Sequence, residues 1–581
     1  MNRLLGIAGD IGSMSSPAGE FDDGLALAEL TGSGLSAVAR GDPGLAAMGV
    51  LATGRPLAVT GALTTARAWL AALPALGGSF VLVTWDEGQR LLSVATDRFA
   101  SLPVYYSFAQ RRLAFGTDAA WVLRNGRLDG RLDPQALYDY LFFSVVPSNR
   151  GIVSGLMKIP PASILTLRDG RITVQRYWTP DFRRGPLDRR QLAKDMVERV
   201  RAAVTGAAQL PDTGCFLSGG LDSSTVCGMA SQARGGAVPA FTIGYDVPEF
   251  DESRYARITA AHFGLDLHEH CVRSTDVAHC MSKVINAFDE PFGNPSALSA
   301  YLCAQFAREA GVSNLLAGDG GDELFGGNER YRKQAVFELY GRLPGLLRAG
   351  FVDPLSRLLR HAPGPLPKLM SYVRQARVPL PDRLYSYNLL VRHDVRNVLT
   401  PAFLADVDVE SPYEYARNLY RVPPSGDSLD RMLYLDWTTT LTDNDLPKVT
   451  VACRLAGVQP HFPLLDPGIV DVSLQIPSRE KLDLRVLRKF YKSAFRDFLP
   501  GEIIRKPKHG FGVPVGIWVN RDESLRASMR ERLASLARRD IVLPGLLDQL
   551  LDLQTSEYPS YYGSLLWPLF ALEEWLQGHG Y

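Results

Sequence analysis

The segment Gly214-Cys215-Phe216-Leu217 runs directly into Ser218-Gly219-Gly220-Leu221-Asp222-Ser223-Ser224 and then into a helix pattern that reaches Ala233. This strand–loop–helix unit constrains the fold more than any other stretch of the chain. An apolar strand that ends in glycines and gives way at once to a helix belongs in an open parallel sheet, whose ligands sit at the carboxyl ends of the strands. The flanking pattern agrees. Strands are expected at Ala240–Gly244, Asp266–Cys271 and Asn314–Ala317, alternating with helices such as Glu252–Phe263. Strands separated by helices of this length predict a parallel, doubly wound sheet.

The first 180 or so residues have another texture. Gly78–Trp85 is an apolar, β-branched run that turns at Asp86-Glu87-Gly88 and resumes as Leu91–Ala95. Val104–Phe108 and Leu113–Gly116 suggest a hairpin around Gln110-Arg111, and Ile164–Arg168 with Ile172–Tyr177 flank Asp169-Gly170, a strong hairpin signal. Packed antiparallel sheets are expected here. The helix pattern Leu187–Ala208 marks the change, so the expected domains are 1–182 and 183–581. Beyond residue 330 the chain reads as mostly helical, broken by the proline-rich stretch His361–Lys368.

In the loop, Gly219 and Gly220 let backbone N–H groups approach an anion, and Ser218, Ser223 and Ser224 supply hydroxyls. The helix that follows directs its positive end at the same point. Asp222 is the odd member, because a carboxylate beside phosphates makes sense only with a bridging Mg²⁺. The lysine of GxxxxGK[ST] is missing, so this is not a Walker loop. A second strand, ending at Ala317, opens into Gly318-Asp319-Gly320-Gly321-Asp322-Glu323. Asp222 and Asp322, at neighbouring strand ends, are the pair expected to hold one Mg²⁺.

Composition excludes several classes. The chain has 581 residues, with 63 basic against 62 acidic, which gives no whole-chain electrostatic reason for a nucleic-acid partner. Six cysteines without CxxC spacing argue against a zinc or redox site and suggest buried free thiols. No run reaches the ~18 consecutive apolar residues of a membrane span, and the start MNRLLGIAGDIG lacks a signal peptide's apolar core. A cytoplasmic location without a membrane partner is expected.

With both loops considered, the chain resembles the asparagine synthetase family. SGGLDSS, FTIGYD (241–246), EFDESRYA (249–256), DEPFGNPSA (289–297), GDGGDELFGG (318–327), FPLLD (462–466) and KPKHGFGVP (506–514) occur in family order over essentially the whole length. The resemblance implies an N-terminal β-sandwich of Ntn-hydrolase, glutaminase type. It also implies a C-terminal pyrophosphate-loop ATPase domain like the adenine nucleotide alpha-hydrolases, with a helical extension. It implies ATP and Mg²⁺, with Ser218, Gly219, Gly220, Asp222 and Ser223 on the pyrophosphate and Ile243 and Gly318 bordering adenine. Asp222 and Asp322 would bind the metal, and Lys508 would stabilise charge in acyl transfer. Asp319 stands where asparagine synthetases carry an acid and β-lactam synthetases a tyrosine, and Asp445 falls near the family's second acidic position. Either could take the proton from an attacking amine.

The departures lie in the first half. The family starts Cys-Gly-Ile-Ala-Gly, its cysteine being the glutaminase nucleophile, whereas this chain has Leu5-Gly6-Ile7-Ala8-Gly9 and no cysteine before Cys215. Arg40-Gly41-Asp42-Pro43 only scrambles the family's Arg-Gly-Pro-Asp turn, and Gly61-Ala62-Leu63 stands where Asn-Gly-Glu is expected. Before FPLLD, Gln459-Pro460-His461 replaces Glu-x-Arg, which predicts an altered acceptor or carboxylate pocket, with His461 as a packed substitute for arginine.

An intact ATP site beside a dead glutaminase implies an amine other than glutamine-derived ammonia. The reading favoured by the sequence is that of the lasso-peptide macrolactam synthetases, which adenylate an Asp or Glu side chain of a precursor for attack by its own N-terminal amine. A leader peptidase and a leader-binding protein would then be partners. The alternatives are a diverged asparagine synthetase or amidotransferase using ammonia or another amine, β-lactam-type closure of a small amino acid, and a non-catalytic scaffold.

Overall fold

The computed structural model describes the strands Arg3–Ala8, Glu20–Phe21, Leu25–Leu30, Val38–Ala39 and Met48–Thr53, then residues 66–86, 88–182, 188–341, 344, 372–507 and 512–581, with side chains from residue 66 onward except at positions 85 and 341. The expected domain boundary and the stretch His361–Lys368 lie outside these residues.

The N-terminal half contains two six-stranded antiparallel sheets. The expected hairpins are present. Ser163–Arg168 pairs with Arg171–Arg176 through Asp169-Gly170, both at positive φ as a two-residue turn requires. Tyr105–Ala109 pairs with Arg112–Gly116 in the same way. Period-2 alternation buries Val81, Val83, Leu92 and Val94 of one sheet against Val104, Tyr106, Leu113 and Phe115 of the other.

The C-terminal half is built on a five-stranded parallel sheet. Its order is Asp266–Val272, Pro239–Tyr245, Thr213–Phe216, Asn314–Leu316, Gln459–His461. The fifth strand was not anticipated from sequence. At three residues, with Pro460 in the middle, it carries no alternation to read. The chain leaves the central strand Thr213–Phe216 toward one edge and returns to its other side with Asn314–Leu316. The topological switch point therefore lies between those two strands, where the loop rule puts a ligand crevice. Helix Arg189–Ala208, capped by the Asp188 carboxylate, lays Leu192, Met196, Val200 and Val204 on one buried stripe.

Five of the six cysteines are buried and none is in a disulfide, as expected; Cys271 is exposed. No helix among the described residues is long and apolar enough to cross a membrane. A single apolar core crosses between the halves, packing Tyr138, Phe142 and Val145 with Phe288, Phe292 and the C-terminal helix Pro559–Gly578.

Candidate active site

A cavity of ≈ 1380 Å³ opens over the switch point, lined by both glycine-rich loops. Gly219 has φ +66°, and a Cβ there would lie 2.5 Å from the Tyr255 side chain, so only glycine permits this turn. Gly220 then caps helix Leu221–Arg234 with its backbone, leaving the helix's first N–H groups facing the cavity. Ser218 Oγ and Ser223 Oγ lie 3.0 Å apart beside it. Ser224 differs from expectation. It is fully buried, and its hydroxyl shares a 2.9 Å hydrogen bond with Thr259 behind the loop, because one residue along a helix turns the side chain by ~100° away from the ligand face.

The second loop is glycine-rich because the first presses on it. A Cβ on Gly318 would lie 2.7 Å from the Ser223 amide nitrogen, and one on Gly321 would lie 2.0 Å from Asp222 Oδ1. Asp222 and Asp322, the expected metal pair, do converge. Arg488 Nη1 donates to Asp222 Oδ2 at 2.6 Å and to Asp322 Oδ1 at 3.2 Å, and Nη2 donates to Asp222 Oδ1. Among the described residues no group of three or more histidine, cysteine or acidic side chains could hold a metal alone. Two carboxylates already sharing one positive charge nevertheless match the hard oxygen donors Mg²⁺ takes when phosphates and water complete its shell.

In the same cavity, Lys448 Nζ lies 2.8 Å from Asp445 Oδ1 and 3.7 Å from Asp319 Oδ1. Burial pushes the Asp319 carboxyl up to about 6, partly offset by the Lys448 ammonium. Its neighbouring carboxylates hold Lys448 above the usual lysine range against the effect of burial. Ile243 and Gly318 both line the cavity. Lys508 lies outside the described residues, as do Arg40–Pro43 and Gly61–Leu63. Leu5 sits in strand Arg3–Ala8, paired with Ala28 and Gly116.

Sequence reasoning missed three cations. Arg488 had no motif to announce it. Lys448 follows Asp445 by three residues, a helical spacing that could have been used. Lys506, the first lysine of KPKHG, lines the cavity and donates to the Gly219 carbonyl at 3.2 Å and to Glu252 Oε2 at 3.0 Å, fastening the phosphate loop. Gln459 and His461, where an altered acceptor or carboxylate pocket is expected, lie on the fifth strand. Neither residue lines the cavity, and His461 Nε2 is paired with Asn314 Oδ1 at 2.8 Å on the fifth strand. It is a packed residue, as expected of a substitute for arginine.

Residues 196–577 match the family model for asparagine synthase, and residues 64–178 match that for a glutamine amidotransferase domain. A Bacillus subtilis protein named as a glutamine-hydrolyzing asparagine synthetase is 25% identical over 488 residues, covering 82% of this chain and 74% of that protein. A putative asparagine synthetase of Mycobacterium tuberculosis is 26% identical over 469 residues, 78% of this chain and 69% of that one. A putative asparagine synthetase of Methanocaldococcus jannaschii is 28% identical over 280 residues, 47% of this chain and 53% of that one.

Proposed function

This chain belongs to the asparagine synthase family and is an ATP-dependent carbon–nitrogen ligase, and we propose that its amide closes within one substrate, as in lasso-peptide macrolactam formation, without hydrolysis of glutamine. The observation that carries this reading is the contrast between a cavity that gathers Ser218, Asp222, Asp319 and Asp322 and leucine at position 5, where the family's nucleophilic cysteine belongs.

The substrate carboxylate attacks the α-phosphorus of ATP, releasing pyrophosphate and forming an acyl-adenylate. The loop Ser218–Ser223 and the exposed amides of helix Leu221–Arg234 hold the leaving pyrophosphate. Mg²⁺, when bound, would be held by Asp222 and Asp322 and would supply charge that screens the phosphates. Ile243 and Gly318 border the adenine. In the second step the amine attacks the acyl carbon and AMP departs. Asp319 or Asp445 accepts the proton the amine loses, and Lys508 stabilises the charge that develops on the acyl oxygen. An amine on the substrate itself needs no ammonia source, and holding it beside the acyl group can lower the barrier by ~7–11 kcal/mol. The cavity has room for a substrate larger than a free amino acid beside ATP.

A diverged asparagine synthetase using ammonia is the second reading, favoured by the relatives' names. The test is ATP–pyrophosphate exchange with free aspartate and with linear peptides bearing one Asp or Glu and a free amino terminus. Exchange driven by peptides, with loss of water from the peptide, supports macrolactam formation. Asparagine made from aspartate, ATP and ammonia, with every peptide left linear, overturns it. No exchange with any carboxylate would indicate a scaffold.

A further inference from the structure

Helix Ser428–Asp436 passes into a π-helical stretch, Trp437–Asp445, before α-helix resumes at Leu446. A π-helix of this length is rare, because its wide turn weakens the backbone bonds and needs outside support. The support comes from both halves of the molecule. Trp437 Nε1 donates to the Glu323 carbonyl at 2.9 Å, beneath the second glycine-rich loop. Thr442 Oγ1 donates to the Phe99 carbonyl at 2.7 Å, and Ser148 donates to the Asp443 carboxylate through both its hydroxyl and its N–H. Phe99 and Ser148 belong to the N-terminal half. Asn444 Oδ1 accepts from Asn294 Nδ2 at 2.7 Å, and Asp445 reaches Lys448 in the cavity.

Four consecutive side chains are thus held, two by the N-terminal half and two by the catalytic half. The motif Asp289–Ala297, which marked the family but had no task in the adenylation scheme, belongs to this junction. Glu290 pairs with Lys158 at 2.5 Å and accepts from the Ile152 N–H at 2.8 Å, while Asn294 anchors Asn444.

We propose that Ser148 is a positioning residue for Asp445: through Asp443 it holds the π-helical stretch so that the N-terminal half sets the geometry of the amide-forming groups in the cavity. The inference rests on the reading that Asp445 serves amide formation. It gives the N-terminal half a task that glutamine hydrolysis does not enter. Adenylation is assigned to Ser218–Ser223 and is expected to be spared when this contact is lost.

The test compares Ser148→Ala, Ser148→Thr and Asp445→Ala in the full chain by two assays. One is ATP–pyrophosphate exchange driven by a linear peptide with a free amino terminus and one internal Glu, or by free aspartate if that alone drives exchange. The other is amide formation from the same probe, read as loss of water from the peptide or as asparagine made with ammonia. Ser148→Ala is expected to lower kcat for amide formation about 10-fold while exchange and the KM for ATP stay within about twofold, since small misplacement of a reacting group is costly. Ser148→Thr, which keeps the hydroxyl, is expected to recover most of the loss. Equal loss in both assays, or no loss in amide formation, overturns the inference. If Asp445→Ala leaves amide formation intact, the reading of Asp445 falls and this inference falls with it. An inert Ser148→Ala beside a dead Asp445→Ala removes this inference alone.

Discussion

Two pairs of carboxylates line the cavity, each tied to one cation, and the cations differ. Asp222 and Asp322 share the guanidinium of Arg488, whereas Asp319 and Asp445 share the ammonium of Lys448. A guanidinium is planar, permanently charged and suited to bidentate contact, so it balances the charge of the first pair directly. An ammonium is a compact point charge; burial raises the Asp319 carboxyl to about 6, and Lys448 at 3.7 Å only partly offsets it. The Arg488 pair is arranged to hold charge and the Lys448 pair to pass a proton. Pairs of carboxyls whose environments push them apart are how such roles are divided.

The comparison breaks most readily at the charge-holding pair. Asp222→Ala is expected to abolish exchange, a loss of at least about 10³-fold, because both the carboxylate and its balance with Arg488 disappear. Thermal unfolding should still be cooperative, and substantial exchange would mean that this pair does not serve the phosphates. In the Lys448 pair, Asp319→Asn should spare exchange while lowering amide formation about 10²- to 10⁴-fold, the usual worth of a general base. A base must be unprotonated, so the parent's amide formation should fall as pH drops through about 6 and level off above it. The variant should lose that limb, and an unchanged pH profile would move the role to Asp445.

Lys448→Met sharpens the contrast by a smaller amount. Lys448 lowers the Asp319 carboxyl, so its removal should carry the acid limb above 6 toward neutral pH, with rates reduced about 10-fold at pH 6.5. A limb that moves down instead would contradict the pairing. Ser224→Ala should do least. Its hydroxyl bonds Thr259 behind the loop, so exchange should be unchanged while denaturant unfolding loses about 1 kcal/mol. A large loss of exchange would put Ser224 back among the ligand contacts.

Much of this was legible in the residues before any coordinates. The two-residue turn Asp169-Gly170, the stripe of helix Arg189–Ala208 and the strand–loop–helix unit around Ser218 are local patterns. Each is written in neighbours two to four positions apart. Ser224 went astray because a motif names residues without saying which face of the helix each takes. The strand Gln459–His461 was not legible because it is short and its pairing with Asn314–Leu316 is not local.

The sequence by itself determined the family, the parallel sheet, the phosphate-type loop and the absence of cysteine at position 5, since all of these rest on residue identity at short spacing. Only the tertiary structure decided that Arg488, 266 residues away, sits on Asp222, that Lys448 joins Asp445 to Asp319, and that Ser148 reaches across to the π-helical stretch. Those contacts arise when packed elements bring distant polar groups into a low-dielectric interior where each must find a partner. No periodicity along the chain records which partner that is.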